Sequence, residues 1–302
     1  MRDPAELYTW TEGAVLDGRP GPLLLALGGF VDAGNIQRVL ASHLIDSSES
    51  EVLATFAVDE LVDYRDRRPP MTFEVNRWTH YETPEMVLRR LEDRDGQTYH
   101  LLTGPEPDFQ WERVAAAIWQ VMERLGIELV VTTHGIPMAV PHTRPIGMTA
   151  HATDPHLIGE ATSPFGTVQV PASFAAFLEY RLQARRESAL GFAIHVPHYL
   201  GASEWAEGAL AALTAITDAT ALNLPNDDLV TRAGENAAAI TREVGENAEV
   251  GQLVSALEQQ YDAFVHGQEQ ENLLAQPSTR ELPSAEELGA EFEEFLRSVE
   301  DG

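Results

Sequence analysis

Short apolar runs that alternate with segments of helical period leave this chain little choice of architecture. The runs are PGPLLLAL (20–27), EVLATFAV (51–58), IELVVTT (127–133) and ALGFAIHVP (189–197). Most are apolar on successive residues rather than on alternate ones, so both sides of the strands they form must be covered. Helical segments lie between them: AGNIQRVLASHLI after Asp32, WERVAAAIWQVMERLG (111–126), ASFAAFLEYRLQARR (172–186) and ASEWAEGALAALTAIT (202–217). Strands of this kind interleaved with amphipathic helices predict a largely parallel sheet with helices on both faces.

Two further stretches read as strand. TFEVNR (72–77) follows the turn-like RDRRPP, and MVLRRLEDRDGQTYHLLT (86–103) carries Asp95-Gly96 between apolar arms, a hairpin signal, although the first arm also fits a helix. Composition changes after Pro225. Residues 226–266 read as helices with a stripe of Leu253, Leu257, Tyr261 and Phe264, and 267–283 reads as a polar linker. Residues 284–299 form an amphipathic helical pattern opened by a Ser284…Glu287 capping box, with Leu288, Phe292, Phe295, Leu296 and Val299 on one face. The expected division is therefore an α/β core over 1–225 and a helical C-terminal region over 226–302.

Composition excludes whole classes of chemistry. There are no cysteines, which removes thiol nucleophiles, disulfides and Cys-ligated metal sites. All 20 basic residues are arginine, so no P-loop lysine and no Schiff base can form. The bias fits a G+C-rich genome. With 48 acidic residues the net charge is −28, which disfavours nucleic acid and anionic membranes as partners. No apolar stretch is long enough for a membrane span and MRDPAELYTW is no signal peptide, so a cytoplasmic protein is expected.

Three clusters could carry function. In LLLALGGFVDAGN (23–35) the glycines match neither the dinucleotide nor the P-loop spacing. Asp32 can cap the following helix, contact a ligand, or serve as an acid–base group, with Gly29 and Asn35 beside it. The second cluster, HGIPMAVPHTRPIGMTAHATDPH, follows a strand's carboxyl end, the edge where open α/β sheets bind ligands. It holds His134, His142 and Arg144. Arg144 can clamp an anion or pair with one of the many acids. Its histidine spacings match no zinc signature, so no metal and no cofactor is expected. The third cluster is His195-Val196-Pro197-His198-Tyr199 at the end of the last apolar strand, where His198 suits either acid–base work or an interface. Glu106 and Asp108 in GPEPDF read as caps more readily than as a catalytic pair. No G-x-S-x-G elbow occurs.

Taken together, Gly29–Asn35, Gly104-Pro105-Glu106-Pro107-Asp108, HGIPMAVPHTRPIGMTAHAT and VQVPASFAAFLEYRLQARRESALGFAIHVPHYL resemble the proteasome-assembly-chaperone-like superfamily, in its long actinobacterial branch. The resemblance covers about residues 20–225. It implies a three-layer α/β/α sandwich with a twisted mixed sheet, like the core of purine nucleoside phosphorylases, plus a helical C-terminal extension. It also implies a non-catalytic assembly protein that forms homo-oligomers, trimers being expected, with proteasome subunits as partners. The end Val299-Glu300-Asp301-Gly302 departs from the hydrophobic-Tyr-X ending with which such chaperones dock. The alternative is a protein that binds a nucleoside-like or small anionic ligand, or an N-glycosidic hydrolase or phosphorylase, working around Asp32 and Arg144. Fold likeness alone carries no activity.

Overall fold

The computed structural model describes residues 2–16, 19–29, 31–159 and 167–274, with side chains through His266. Eight strands form one mixed sheet: β1 (Tyr8–Trp10), β2 (Leu23–Gly28), β3 (Ser50–Phe56), β6 (Met86–Glu92), β7 (Thr98–Pro105), β8 (Leu129–Met138), β9 (Met148–Ala152) and β10 (Ser188–Pro197). Their order is β1-β3-β6-β7-β2-β8-β10-β9. Only β7, β2, β8 and β10 run parallel to one another; every other pairing is antiparallel. The continuous apolar runs thus mark the central strands, and the flanking antiparallel strands correct the expectation of a largely parallel sheet.

The described residues hold six α-helices: α1 (Ile36–Asp46), α2 (Trp111–Leu125), α3 (Phe174–Arg185), α4 (Ala206–Thr220), α5 (Asp227–Glu246) and α6 (Ala248–Leu274). Neighbouring residues of one strand serve opposite cores. Leu23, Leu25 and Leu27 pack with α2 and α3. Leu24 packs with α1 and α4, and α5 closes over that side through Leu229, Ala233 and Ile240. The result is an α/β/α sandwich in which, among the described residues, one face carries an extra helical layer.

Local sequence explains the element ends. Helix α2 stops where Gly126 takes the left-handed conformation (φ 69°) and returns its N–H to the Met122 carbonyl. The Asp95-Gly96 hairpin forms as expected between β6 and β7. Gly96 has φ 76°, and the Asp93 side chain accepts from the N–H groups of Asp95 and Gln97. Helix α1 starts later than the sequence pattern suggests. A 3₁₀ turn (Ala33–Asn35) precedes it, with Asn35 left-handed at φ 51°.

Two expectations fail. The segment 72–77 does not join the main sheet. Its residues form β4 (Met71–Glu74) and β5 (Arg77–Tyr81), a separate two-stranded hairpin whose residues are all exposed. Helix α6 also runs on to Leu274, into the stretch read as a linker, because nothing in GQEQENLL (267–274) terminates a helix once α6 is nucleated. The 284–299 pattern lies outside the described residues. No helix among the described residues is long and apolar enough to cross a membrane.

Candidate functional site

The loops after β7, β2, β8 and β10 converge at the carboxyl edge of the parallel strands, where every sequence-predicted site residue but His134 lies. Pairing between β2 and β8 stops at Leu25 opposite Thr132, whereas β8 and β10 stay paired to Met138 opposite Pro197. The strands therefore splay beyond β2 and leave a crevice. The chain fills it with its own 3₁₀ turn. A Cβ at Gly135 would lie 1.9 Å from the Ala33 carbonyl oxygen, so the turn rests directly on the β8 backbone. Gly34 is fastened from the other side: its N–H donates to Gly201 O (2.9 Å) and its carbonyl accepts from Trp205 N (2.9 Å).

Asp32 holds this arrangement together. Its carboxylate accepts from Gln37 N (3.0 and 3.1 Å) and Arg38 N (3.5 Å) at the start of α1, and from Gly135 N (3.4 Å) in β8. The capping role read from sequence is present, and the same carboxylate also ties helix to strand. Burial raises its pKa above the ordinary carboxylate value, although the N–H donors pull it down. Asn35 turns outward to Arg38 Nε (3.4 Å). Gly29 serves a different neighbour, since a Cβ there would lie 1.9 Å from Glu106 Oε2. Glu106 is a buried cap, but of α3 rather than of the α2 it precedes: its side chain accepts from Phe174 N, and its N–H donates to Gly28 O (2.8 Å), whereas Asp108 caps no helix and accepts from Asp63 N (2.7 Å) and Arg67.

The histidine-rich segment is more ordered than a loop. His134 sits within β8, opposite Ala193, with its ring 6.3 Å from that of His151 on β9. His151 Nδ1 in turn lies 2.7 Å from Glu179 Oε2 of α3. Burial, with a smaller effect from His151, pushes His134 down to about 4. His100, in β7, is also pushed by burial to about 4. Both imidazoles take up protons in the unfolded chain before they do so in the folded one. Stability is then full above pH 6.5 and is lost as pH falls from 6.5 towards 4, on the order of 3 kcal/mol per group. We expect His134→Gln to remove about one proton from that slope, read as urea midpoints between pH 4.5 and 7. An unchanged slope would mean that His134 is solvated.

His142 and Arg144 are engaged by other parts of the chain. The His142 N–H donates to the Tyr199 hydroxyl (2.8 Å), which also lies 2.7 Å from His142 Nδ1. His198 begins the 3₁₀ turn after β10 and meets Tyr199 edge to face at 5.5 Å. Arg144 makes a two-pronged ion pair with Asp262 of α6 (Nε to Oδ1 2.8 Å, Nη2 to Oδ2 2.7 Å) and reaches Glu258 at 3.2 Å. Of the two roles open to it in the sequence, pairing with an acid is the one the fold uses. That contact straps α6 across the edge, and it was invisible in sequence because the partners lie more than a hundred residues apart.

A cavity of about 710 Å3 lies at the opposite end of the sheet, lined by Arg19, His43, Glu51, Arg90, Asp93 and Asp227 among others, and by none of the predicted site residues. Among the described residues no His, Asp and Glu cluster is placed to hold a metal ion.

Sequence reading missed the most exposed apolar surface. In the β4–β5 hairpin Phe73 is 56% exposed, Trp78 62% and Val75 97%. Phe73 and Trp78 meet edge to face, with centroids 5.0 Å apart. Val75 is left-handed at φ 54°, unfavourable for a β-branched residue. The available signal was the alternation Met71, Phe73, Val75, which looked like a strand facing a core.

The comparisons with known proteins agree with this architecture. A Mycobacterium tuberculosis protein of unknown function superposes with a TM-score of 0.85 at 42% identity, covering 88% of this chain and 92% of its own. A Corynebacterium glutamicum protein of unknown function gives 0.80 at 33% identity, covering 86% and 98%. A Mycobacterium tuberculosis proteasome-assembly chaperone homologue gives 0.68 at 21% identity, covering 77% and 99%, a likeness of fold. No curated protein matches the sequence. The model of the PAC2 family matches residues 26–244, from the middle of β2 to the end of α5 and across every loop of the carboxyl edge, and this chain belongs to that family.

Proposed function

We propose that the protein is a non-catalytic assembly factor that works as a homo-oligomer, its protomers joined through the β4–β5 hairpin, with proteasome subunits as the partner class. The hairpin carries this reading. An isolated two-stranded hairpin is marginal in water, and one that displays Met71, Phe73, Val75, Trp78 and Tyr81 to solvent gains stability once another surface covers them. Its exposure and its left-handed valine break local folding rules in one place, as interaction surfaces do. The carboxyl edge supports the same reading. Asp32 is bound to N–H groups of α1 and β8, and Arg144 to carboxylates of α6, so the groups that would serve a nucleoside or anion are committed within the fold.

The test is the double variant Phe73→Glu/Trp78→Glu, studied by sedimentation equilibrium and circular dichroism. Both side chains are exposed in the protomer, so its helix and strand content is expected to stay unchanged. The oligomer is expected to dissociate to monomers, and co-purification with proteasome subunits from the host is expected to disappear. A variant that stays oligomeric would overturn the hairpin's role. A monomeric wild type would overturn self-association itself.

A further inference from the structure

We propose that the cavity at the amino edge of the parallel strands binds a small organic cation with two or more amino groups, held between surplus carboxylates and the Tyr99 hydroxyl. The cavity, of about 710 Å3, has the size of a small-molecule site, typically about 300–1,000 Å3. It opens where α1 ends, β3 begins, β6 ends and α5 begins. The inference does not rest on the proposed assembly function.

Charge decides the class of ligand. Three arginines line the cavity, and each is held by a carboxylate of the same wall: Arg19 by Glu92 (3.2 Å), Arg90 by Glu51 (2.5 Å) and Arg94 by Asp227. Glu49, Asp93 and Asp228 also line it, so carboxylates exceed arginines by three. An anion would meet paired arginines and this excess, whereas a cation meets the excess alone. The chain has no lysine, so no lysine ammonium of its own can reach these acids.

Hydrogen bonding points the same way. His43 Nε2 lies 2.7 Å from the Pro225 carbonyl, which can only accept, so Nε2 carries the proton and Nδ1 is an acceptor. Helix α1 brings its carboxyl end, with its partial negative charge, to the wall through His43, Ser47 and Ser48. Tyr99 is fully buried, and its hydroxyl has no hydrogen bond of normal geometry. Ser48 and Asp93, both in the cavity wall, act on that hydroxyl. Burial pushes its pKa up to about 12, against a pull from Ser48 and with a further push from Asp93. A protonated phenol in this position can accept from an ammonium group.

The test is titration calorimetry of the full-length protein with spermidine at about 0.15 M salt, where a Debye length of about 8 Å screens distant charges. Saturable binding of one spermidine per chain is expected. Glu49 and Asp228 are exposed, so Glu49→Gln/Asp228→Asn is expected to keep the circular dichroism of the wild type and to weaken binding several-fold. Tyr99→Phe keeps the buried ring and is expected to weaken binding without lowering the thermal midpoint. Glu243→Gln/Glu246→Gln removes the same charge at the far end of α5, outside the cavity, and is expected to leave the affinity unchanged. Equal losses in the two double variants would overturn the proposal, because they would assign binding to the overall charge of −28. So would unchanged affinity in Tyr99→Phe, or magnesium chloride binding as tightly as spermidine, which would mean a site for any cation. Heats that never saturate would overturn it as well.

Discussion

Replacing Gly135 with alanine is expected to cost about 3 kcal/mol or more of stability, because the new methyl group would meet backbone rather than a movable side chain. Its position lies 1.9 Å from the Ala33 carbonyl oxygen and 2.9 Å from both the Ala33 carbonyl carbon and Val196 Cγ2. Ala33 cannot move alone. The next residue, Gly34, is bonded to Gly201 and Trp205, and Asp32 is bonded to α1 and β8. The whole turn would lift from the crevice, and Asp32 would lose its bond to Gly135. Urea unfolding monitored by tryptophan fluorescence measures the loss. A variant within about 1 kcal/mol of wild type would show that the turn is not seated on β8.

Arg113→Ala is expected to destabilise the fold by roughly 2–4 kcal/mol and to release the N-terminal segment. The Arg113 side chain is 4% exposed on α2. It donates twice to the Asp3 carbonyl (3.0 and 2.9 Å) and reaches Glu60, Gln110 and Glu6, each at 3.0 Å. These bonds hold the 3₁₀ turn Pro4–Leu7, whose Leu7 is fully buried. Glu6 and Glu60 are exposed enough to regain water, so the loss comes from the Asp3 carbonyl and the emptied space rather than from stranded charges. Limited proteolysis should cut before Tyr8 in the variant and not in wild type. Arg113→Lys should recover only part of the loss, since an ammonium cannot reach both sides of the guanidinium's fork. Full stability in Arg113→Ala would place the N-terminal turn outside the cooperative fold.

Parts of the fold and of the site were legible in the sequence where the deciding interactions are local. The stop of α2 at Gly126, the Asp95-Gly96 hairpin and the capping by Asp32 depend on residues close together in the chain. The burial of β2 on both faces follows from LLLAL itself. The family resemblance read from the loop motifs agrees with the matched family and with the mixed sheet.

Pairings between distant segments had no such signal. TFEVNR has the alternation of a half-buried strand, and only the structure shows that the residues of β4 are all exposed. Arg144 has acids in every direction along the sequence, and the fold selects Asp262 and Glu258. Nothing near Gly135 in sequence says that Ala33 will lie on it.

The amino-acid sequence by itself determined most of the helices and the central strands, that those strands are buried on both faces, and which chemistries the chain cannot perform. Propensity, period and composition act over a few residues and need no partner. The tertiary structure alone decided which strands pair, that the crevice at the carboxyl edge is filled by the chain's own turn, and that a hairpin of apolar side chains stands uncovered. Those outcomes depend on contacts between residues tens to hundreds of positions apart, whose free energies exist only once the chain has closed.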